Sequence, residues 1–482
     1  MKQIEHRLGK WLAPICKFLP PLYLVGGSVR DTLLSRTAGD IDLMCRDAEH
    51  FARRLADAGN AVVVPFLKKT DEPCYRVVDR QEPELFVDIA EMRGDTVRTD
   101  LEHRDFTVNA MAIRIGERGI PEEIIDPLNG REDLTQRLIR IAGPDAFVSD
   151  PLRILRAIRF AAELGFTIEA STQKAMTAYA GLIGNVAGER IAVELLKIFA
   201  HSHAADFVRL MDELGIATVI FPEILPMKEC AQNFCHHLDV WNHSLAVLEH
   251  CEDILNHLED SLGHTGEKVR ENLSGNNRIP LLKLTALLHD VGKPQTKSED
   301  SLSGRITFYG HDKAGADIIS EITSRLRMSA RDRSFMQTLE AEHLHILNLS
   351  HPEVRPATRM RLFRLLKDDI IPLIILGMAD IKSTLGPGSD KAAREHHLRW
   401  SEESIGDYYR ETKKKLGQKN FVNGNDLIAM GISPGPEMGK LLRKLREAQD
   451  TGQVKDRISA IAEAKKLSAE YICRKTPKLK QT

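Results

Sequence analysis

The sequence predicts an α+β chain, with a mixed α/β head followed by an almost wholly helical remainder. Three observations lead there. The β-rich runs cluster before Ile141. After it, the apolar periodicity is helical. At 482 residues the chain exceeds one core of roughly 100–200 residues, so several packing units are expected.

The head is expected to hold strands at Leu22–Val25, Ile41–Met44, Ala61–Leu67, Leu85–Ala90 and Val108–Ile115, separated by turns and amphipathic segments. Asp150-Pro151 then starts a helix, since Asp can cap and Pro suits a first turn, and that helix should end near Gly165. Two polar stretches in the helical half, Glu259–Arg278 and Ser298–Arg305, read as surface loops. No repeat of solenoid length occurs.

Composition bounds the function. Hydrophobic residues at 42% and charged residues at 28% describe an ordinary globular chain rather than a disordered one. The longest apolar run, Ile370 to Ala379, contains Pro372 and is half the roughly 20 residues a membrane span needs. The start lacks the continuous apolar segment of a secretory signal. Seven cysteines without a CxxC pair suit free thiols in a reducing compartment. A cytoplasmic protein with no membrane partner is the expectation. The net charge of −2 excludes a polycation, so any nucleic acid must be held by local patches. One such patch is the tail from Glu411 to Thr482, where 16 Lys/Arg stand against 8 Asp/Glu.

Chemistry concentrates in two constellations. Gly26-Gly27-Ser28-Val29-Arg30 marks a strand-to-helix turn where backbone N–H groups can approach a phosphate. Asp40-Ile41-Asp42-Leu43 then places two carboxylates at i and i+2 on one face of a strand. Such crowding suits a pair of Mg²⁺ ions, and Asp88, a charge inside an apolar strand, is a third candidate. Farther on, Arg153, Arg156 and Arg159 recur at i+3 from Asp150 as a polar ridge. An Asp that accepts and an Arg that donates match the NH₂ and ring acceptor of cytosine and of adenine. Uracil and guanine would present an unmatched donor, costing about 1–3 kcal/mol.

The second constellation is His289-Asp290-Val291-Gly292-Lys293 at an apolar helix end, with His243, His311, His343 and Asp380 on other segments. This N/O donor set suits Mn²⁺, Ni²⁺, Co²⁺ or Mg²⁺.

These residues carry a resemblance. The run from Leu24 to Leu43 resembles the nucleotidyltransferase motif of the DNA polymerase beta-like superfamily, especially bacterial-type tRNA CCA-adding enzymes and bacterial poly(A) polymerases. His103-Arg104-Asp105-Phe106-Thr107-Val108-Asn109-Ala110 is similar to that family's RRDFTxNA segment, with His103 in place of the first Arg. Asp126–Gly130 resembles its hinge before the neck. Ser149-Asp150-Pro151-Leu152-Arg153 resembles its EDxxR segment with Ser149 for Glu, and Gly188-Glu189-Arg190-Ile191 with Glu194 its last neck motif. The histidine and aspartate series resembles an HD-superfamily phosphohydrolase, and Val422–Leu442 the end of HD-containing CCA-adding enzymes.

The resemblance implies a polymerase beta-like head at 1–140, a helical neck at 141–235, an HD domain at 236–400 and a basic helical RNA-binding tail at 401–482. It implies transfer of CMP and AMP from CTP and ATP to the 3′ end of tRNA. Asp40, Asp42 and Asp88 would be catalytic, the first two holding Mg²⁺. Gly26, Gly27 and Arg30 would hold the triphosphate, Arg104 and Asp105 the ribose, and Asp150 with Arg153 the base, with Ser28, Asn109, Arg156 and Arg159 as further nucleotide-binding residues. His243, His289, Asp290, His311, His343 and Asp380 would bind the HD metal. A CC-only, A-only or poly(A)-adding enzyme, and an HD phosphohydrolase with a vestigial head, are the alternatives.

Overall fold

The computed structural model describes residues 2–36, 40–66, 73–116 and 119–475. They form two compact units. One comprises Met1–His201 with Asp206–Pro222, the other Ser202–Ala205 with Glu223–Thr482.

The first unit is built on a sheet of β1 (Leu22–Val25), β2 (Ile41–Cys45), β3 (Ala61–Phe66), β4 (Cys74–Asp79), β5 (Phe86–Glu91), β6 (Ala112–Ile115) and β7 (Pro121–Ile125), in the order β3-β4-β5-β2-β1-β6-β7. Only the central pair β2–β5 is parallel, and its register sets Asp42 beside Asp88. The alternation has a plain cause. Ile41, Leu43, Val87 and Ile89 are fully buried on one face beneath Phe51 and Leu55 of helix Ala48–Ala58, which turns the aspartates to the other face.

Several expectations needed correction. β4 and β7 were not foreseen. Cys74-Tyr75-Arg76 and Pro121-Glu122-Glu123 carry too little apolar alternation, and both strands are specified by pairing with neighbours. Val108–Ile115 is not one strand, because Thr107–Asn109 forms a 3₁₀ turn ahead of β6. The end of the expected strand at Leu67 lies outside the described residues. Asp40 stands one residue before β2 rather than within it.

The neck helix runs Leu152–Leu164 and closes on Gly165 in the left-handed region (φ 67°), as its sequence requires. A second helix, Gly188–Ala200, packs against it.

The second unit is helical. Glu259–Arg278 is not a loop. Leu258–Leu262 and His264–Ser274 are helices, whose inward residues Val269 and Leu273 supply the apolar stripe that the polar composition hid. Ser298–Thr307 is an exposed hairpin. The apolar run Ile370–Ala379 lies in helix Ile370–Ser383, buried along its whole length as a core helix, with Pro372 tolerated in its first turn. Among the described residues no helix is long and apolar enough to cross a membrane. The tail helices Gly424–Ala429, Pro436–Asp450 and Arg457–Lys475 share a small core of Leu427, Leu441, Leu445 and Ala464.

Candidate functional sites

In the first unit a cleft of about 530 Å³ opens where β1 and β2 meet. Gly26, Gly27, Ser28, Arg30, Asp40, Asp42, Asp88, Arg104, Asp105, Asn109, Arg156 and Arg159 all line it. Gly26 takes φ +66°, and a Cβ there would sit 3.2 Å from Arg104 Nη1, so the turn needs glycine on both counts. Helix Gly27–Leu33 starts at this turn, and its first residues Gly27 and Ser28 line the cleft. The Ser28 hydroxyl donates to Asp40 O at 2.7 Å and accepts from Asp42 N at 2.9 Å. It fixes the aspartate pair to the turn.

Asp88 is held from β4. Arg76 Nε and Nη2 each donate at 2.8 Å to its two oxygens, a bidentate pair set by cross-strand register. Arg76 was missed because its strand was missed. Asp42 is left crowded. Burial first, then the charges of Asp88 and Asp40 against the opposing Arg104, push its carboxyl up to about 6. Divalent cations fit this donor set, since they would relieve the repulsion that raises the group.

This carries a pH consequence. The folded value exceeds the ordinary 3.8, so Asp42 favours the folded state below about 4 and loses that contribution as pH rises through about 6. Mg²⁺ is therefore expected to raise the melting temperature more at pH 7.5 than at pH 5, and nucleotide addition to fall as pH drops below about 6. Scanning calorimetry with and without Mg²⁺ at both pH values checks the first point. A Mg²⁺-induced rise that is equal or larger at pH 5 contradicts it.

Around the carboxylates the polar side chains form one network. Arg30 Nη1 donates to Asn109 Oδ1 at 2.8 Å, and Asn109 Nδ2 donates to Asp105 Oδ1 at 3.0 Å. Asp105 also takes Arg156 Nη2 at 2.5 Å. Burial alone would raise the Asp105 carboxyl, but the Arg156 charge and hydrogen bonds, with Asn109, bring it to about 2. The three arginines of the row meet different partners. Arg159 is buried with Glu194 Oε2 at 2.5 Å from its Nε, and its guanidinium lies 4.0 Å from the Phe160 ring centroid. Arg153 is buried as well and donates to the carbonyls of His103 (2.8 Å) and Arg104 (3.2 Å), with Ser149 Oγ at 3.3 Å. Asp150 Oδ2 accepts from Arg190 Nη2 at 2.9 Å, which joins the two ends of the neck across forty residues. Asp150, Arg153, Arg156 and Arg190 line an adjoining cleft of about 520 Å³.

In the second unit the six expected residues converge. His243 Nε2 lies 3.1 Å from Asp380 Oδ1 and 3.7 Å from Asp290 Oδ2, with His289 Nε2 at 3.2 Å from the same Asp290 oxygen. The other oxygen, Asp290 Oδ1, lies 3.5 Å from His311 Nε2, which is 3.3 Å from His343 Nε2. Three rings are aimed identically. Nδ1–H of His289, His311 and His343 donates to the carbonyl three residues back, leaving Nε2 toward the centre. Among the described residues His289 Nε2 is buried with no hydrogen-bonding partner, which suits a metal-ligating nitrogen. His236 also reaches this cluster and was not among the expected ligands. Lys293 Nζ lies 2.7 Å from Asp290 Oδ2. A divalent ion fits these N/O donors.

Comparison with known proteins gives the family. Residues 22–140 match the poly(A) polymerase head domain, 165–228 the probable RNA- and SrmB-binding site of polymerase A, and 240–380 the HD domain. The A-adding tRNA nucleotidyltransferase of Deinococcus radiodurans is 31% identical over 448 residues, 92% of this chain and 94% of that one. The chain belongs to the tRNA nucleotidyltransferase family. Within that family, the CC-adding tRNA nucleotidyltransferase of Thermus thermophilus is 30% identical over 438 residues, covering 89% of this chain and 90% of its own length. A CCA-adding enzyme solved with ATP has the same fold, with TM-score 0.64 and 24% identity over 97% of this chain and 94% of that one.

Proposed function

We propose that this family member is a template-independent RNA nucleotidyltransferase that adds CMP and AMP from CTP and ATP to the 3′ end of tRNA. The observation that carries it is Asp42, crowded against Asp88 in a cleft floored by the Gly26–Gly27 turn. The first N–H groups of helix Gly27–Leu33 and the Arg30 guanidinium receive the triphosphate. Arg104 and the Asn109–Asp105 pair bound the sugar side, and Asp150 with Arg153, Arg156 and Arg190 the base side. The terminal hydroxyl of the RNA attacks the α-phosphate, the bond to the pyrophosphate breaks, and one nucleotide is joined. Asp40 and Asp42, backed by Asp88, would hold Mg²⁺, which supplies charge neutralisation at the α-phosphate and leaving pyrophosphate and acidifies the attacking hydroxyl. Arg76 keeps Asp88 aimed. The basic tail adds phosphate contacts to the RNA, and the reaction is placed in the cytoplasm.

The test is incorporation of single labelled nucleotides on tRNA ending before, within and after CCA. Two CMP and then one AMP are expected. AMP alone or CMP alone would replace the proposal with a one-base adder, and an open-ended AMP run with a poly(A) polymerase.

The HD cluster supports a second activity at the same time, metal-dependent hydrolysis of phosphomonoesters or cyclic phosphodiesters at RNA ends, with Mn²⁺, Ni²⁺, Co²⁺ or Mg²⁺. Asp290→Ala should lower that hydrolysis by roughly 10²-fold or more and leave nucleotide addition at the wild-type rate. Hydrolysis that survives the substitution excludes this site as its source.

A further inference from the structure

His236 lies in the segment between Pro222–Met227 and helix Val240–Asn256, outside the histidine and aspartate series that the sequence brings out. Three observations draw it to the HD centre. Its ring stands edge-on to His243 with centroids 4.8 Å apart, and one donor atom each of His236, His243 and Asp380 lie within 4.8 Å of one another. For comparison, His243–His289 and His311–His343 have centroids 5.4 and 5.3 Å apart. Imidazoles bound to one ion at roughly 2.1 Å have centroids on the order of 5 Å apart.

The tautomer of His236 is set by Asn233. Asn233 Oδ1 accepts from Cys235 N at 3.1 Å, which identifies that atom as the amide oxygen, and it lies 3.0 Å from His236 Nδ1. Nδ1 therefore carries the proton and Nε2 keeps its lone pair.

The segment is also clamped from behind. Gly386 N donates to Cys235 O at 2.7 Å and Gly388 N to Phe234 O at 3.0 Å. Both positions need glycine. A Cβ at Gly386 would lie 2.3 Å from the Cys235 carbonyl carbon, and one at Gly388 2.4 Å from the Phe234 ring. This turn follows directly on helix Ile370–Ser383, which carries Asp380, so one short stretch of chain fixes both His236 and Asp380.

We propose that His236 is a metal ligand of the HD centre, offering Nε2 to the ion taken by His243, His289, Asp290 and Asp380. The proposal rests on the HD centre binding a metal at all. A third imidazole in one shell biases the site toward Co²⁺, Ni²⁺ or Zn²⁺ and away from Mg²⁺.

The experiment is titration of chelator-stripped, full-length protein with Co²⁺, read by visible d–d absorption and by affinity in competition with a chromophoric chelator. His236→Ala is expected to weaken Co²⁺ binding by roughly 10–100-fold and to shift the absorption bands. His236→Gln, which keeps size and polarity if the alanine variant folds poorly, must show the same loss. His345→Ala, at an exposed histidine paired with Glu342, should match the wild type. The circular dichroism spectrum and melting profile of each preparation report that the chain is folded. Wild-type affinity and spectrum in both His236 variants overturn the proposal. Failure of the wild type itself to bind Co²⁺ overturns the HD metal reading, and this proposal with it.

Discussion

Asp42→Ala is expected to lower nucleotide addition by roughly 10³-fold or more, with substrate binding affected far less, because the group acts on charge that develops during transfer. Two further results separate this from damage to the fold. Metal-free protein should melt no lower than wild type and above it at neutral pH, since a buried carboxyl raised to about 6 by its surroundings has been removed. The dependence of stability on Mg²⁺ should shrink. Hydrolysis at the HD centre should continue unchanged. Addition that persists within tenfold of wild type would remove Asp42 from the reaction, and a large fall in the metal-free melting temperature would assign it a structural part instead. Asp42→Asn keeps the shape and should behave as the alanine variant does.

Glu194→Ala is expected to give the largest loss of stability among single changes around the cleft. Arg159 and Glu194 have side chains only 9% and 7% exposed, and their pairing at 2.5 Å joins helix Leu152–Leu164 to helix Gly188–Ala200. Removing the acid leaves a buried guanidinium with, among the described residues, only the more exposed Glu163 as its ionic partner. Breaking a buried pair from one side costs about 3–5 kcal/mol, which at a few degrees per kcal/mol lowers the melting temperature by roughly 10 °C. The double change Arg159→Met with Glu194→Leu should recover much of it, because the lone charge is gone. A single-variant shift below about 2 °C would mean that Glu163 or water satisfies Arg159. Addition should weaken too, since Arg156 and Phe160 on the same helix line the cleft.

The two centres differ in how visible they were. The HD residues could be named in order because His289-Asp290 at an apolar helix end is a local signature and the rest of the series follows the family resemblance. All six converge within a few ångströms. The aspartates of the head were equally plain, as the turn before them and the alternation of Ile41 and Leu43 are nearest-neighbour features. Arg76, the partner of Asp88, lay hidden in a strand whose apolar pattern is weak and whose existence depends on β3 and β5 on either side. The arginines of the neck were recognised as a row but not as separately paired groups. Spacing of i+3 says which side of a helix they share, and nothing about the acceptors that meet them.

Sequence by itself determined the α/β head, the helical remainder, the Gly26–Gly27 turn, the Asp40–Asp42 pair and the His289–Asp290 helix end, because these depend on periodicity and on neighbours within a few residues. Tertiary structure alone decided that Ser28 fastens the aspartates, that Arg76 grips Asp88, that Arg190 reaches Asp150, and that His236 and Asp380 meet beside one glycine turn. Those pairings join residues 12 to 144 positions apart. Each rests on how separate elements pack. Burial of apolar faces sets that packing for the chain as a whole, so no local pattern encodes it.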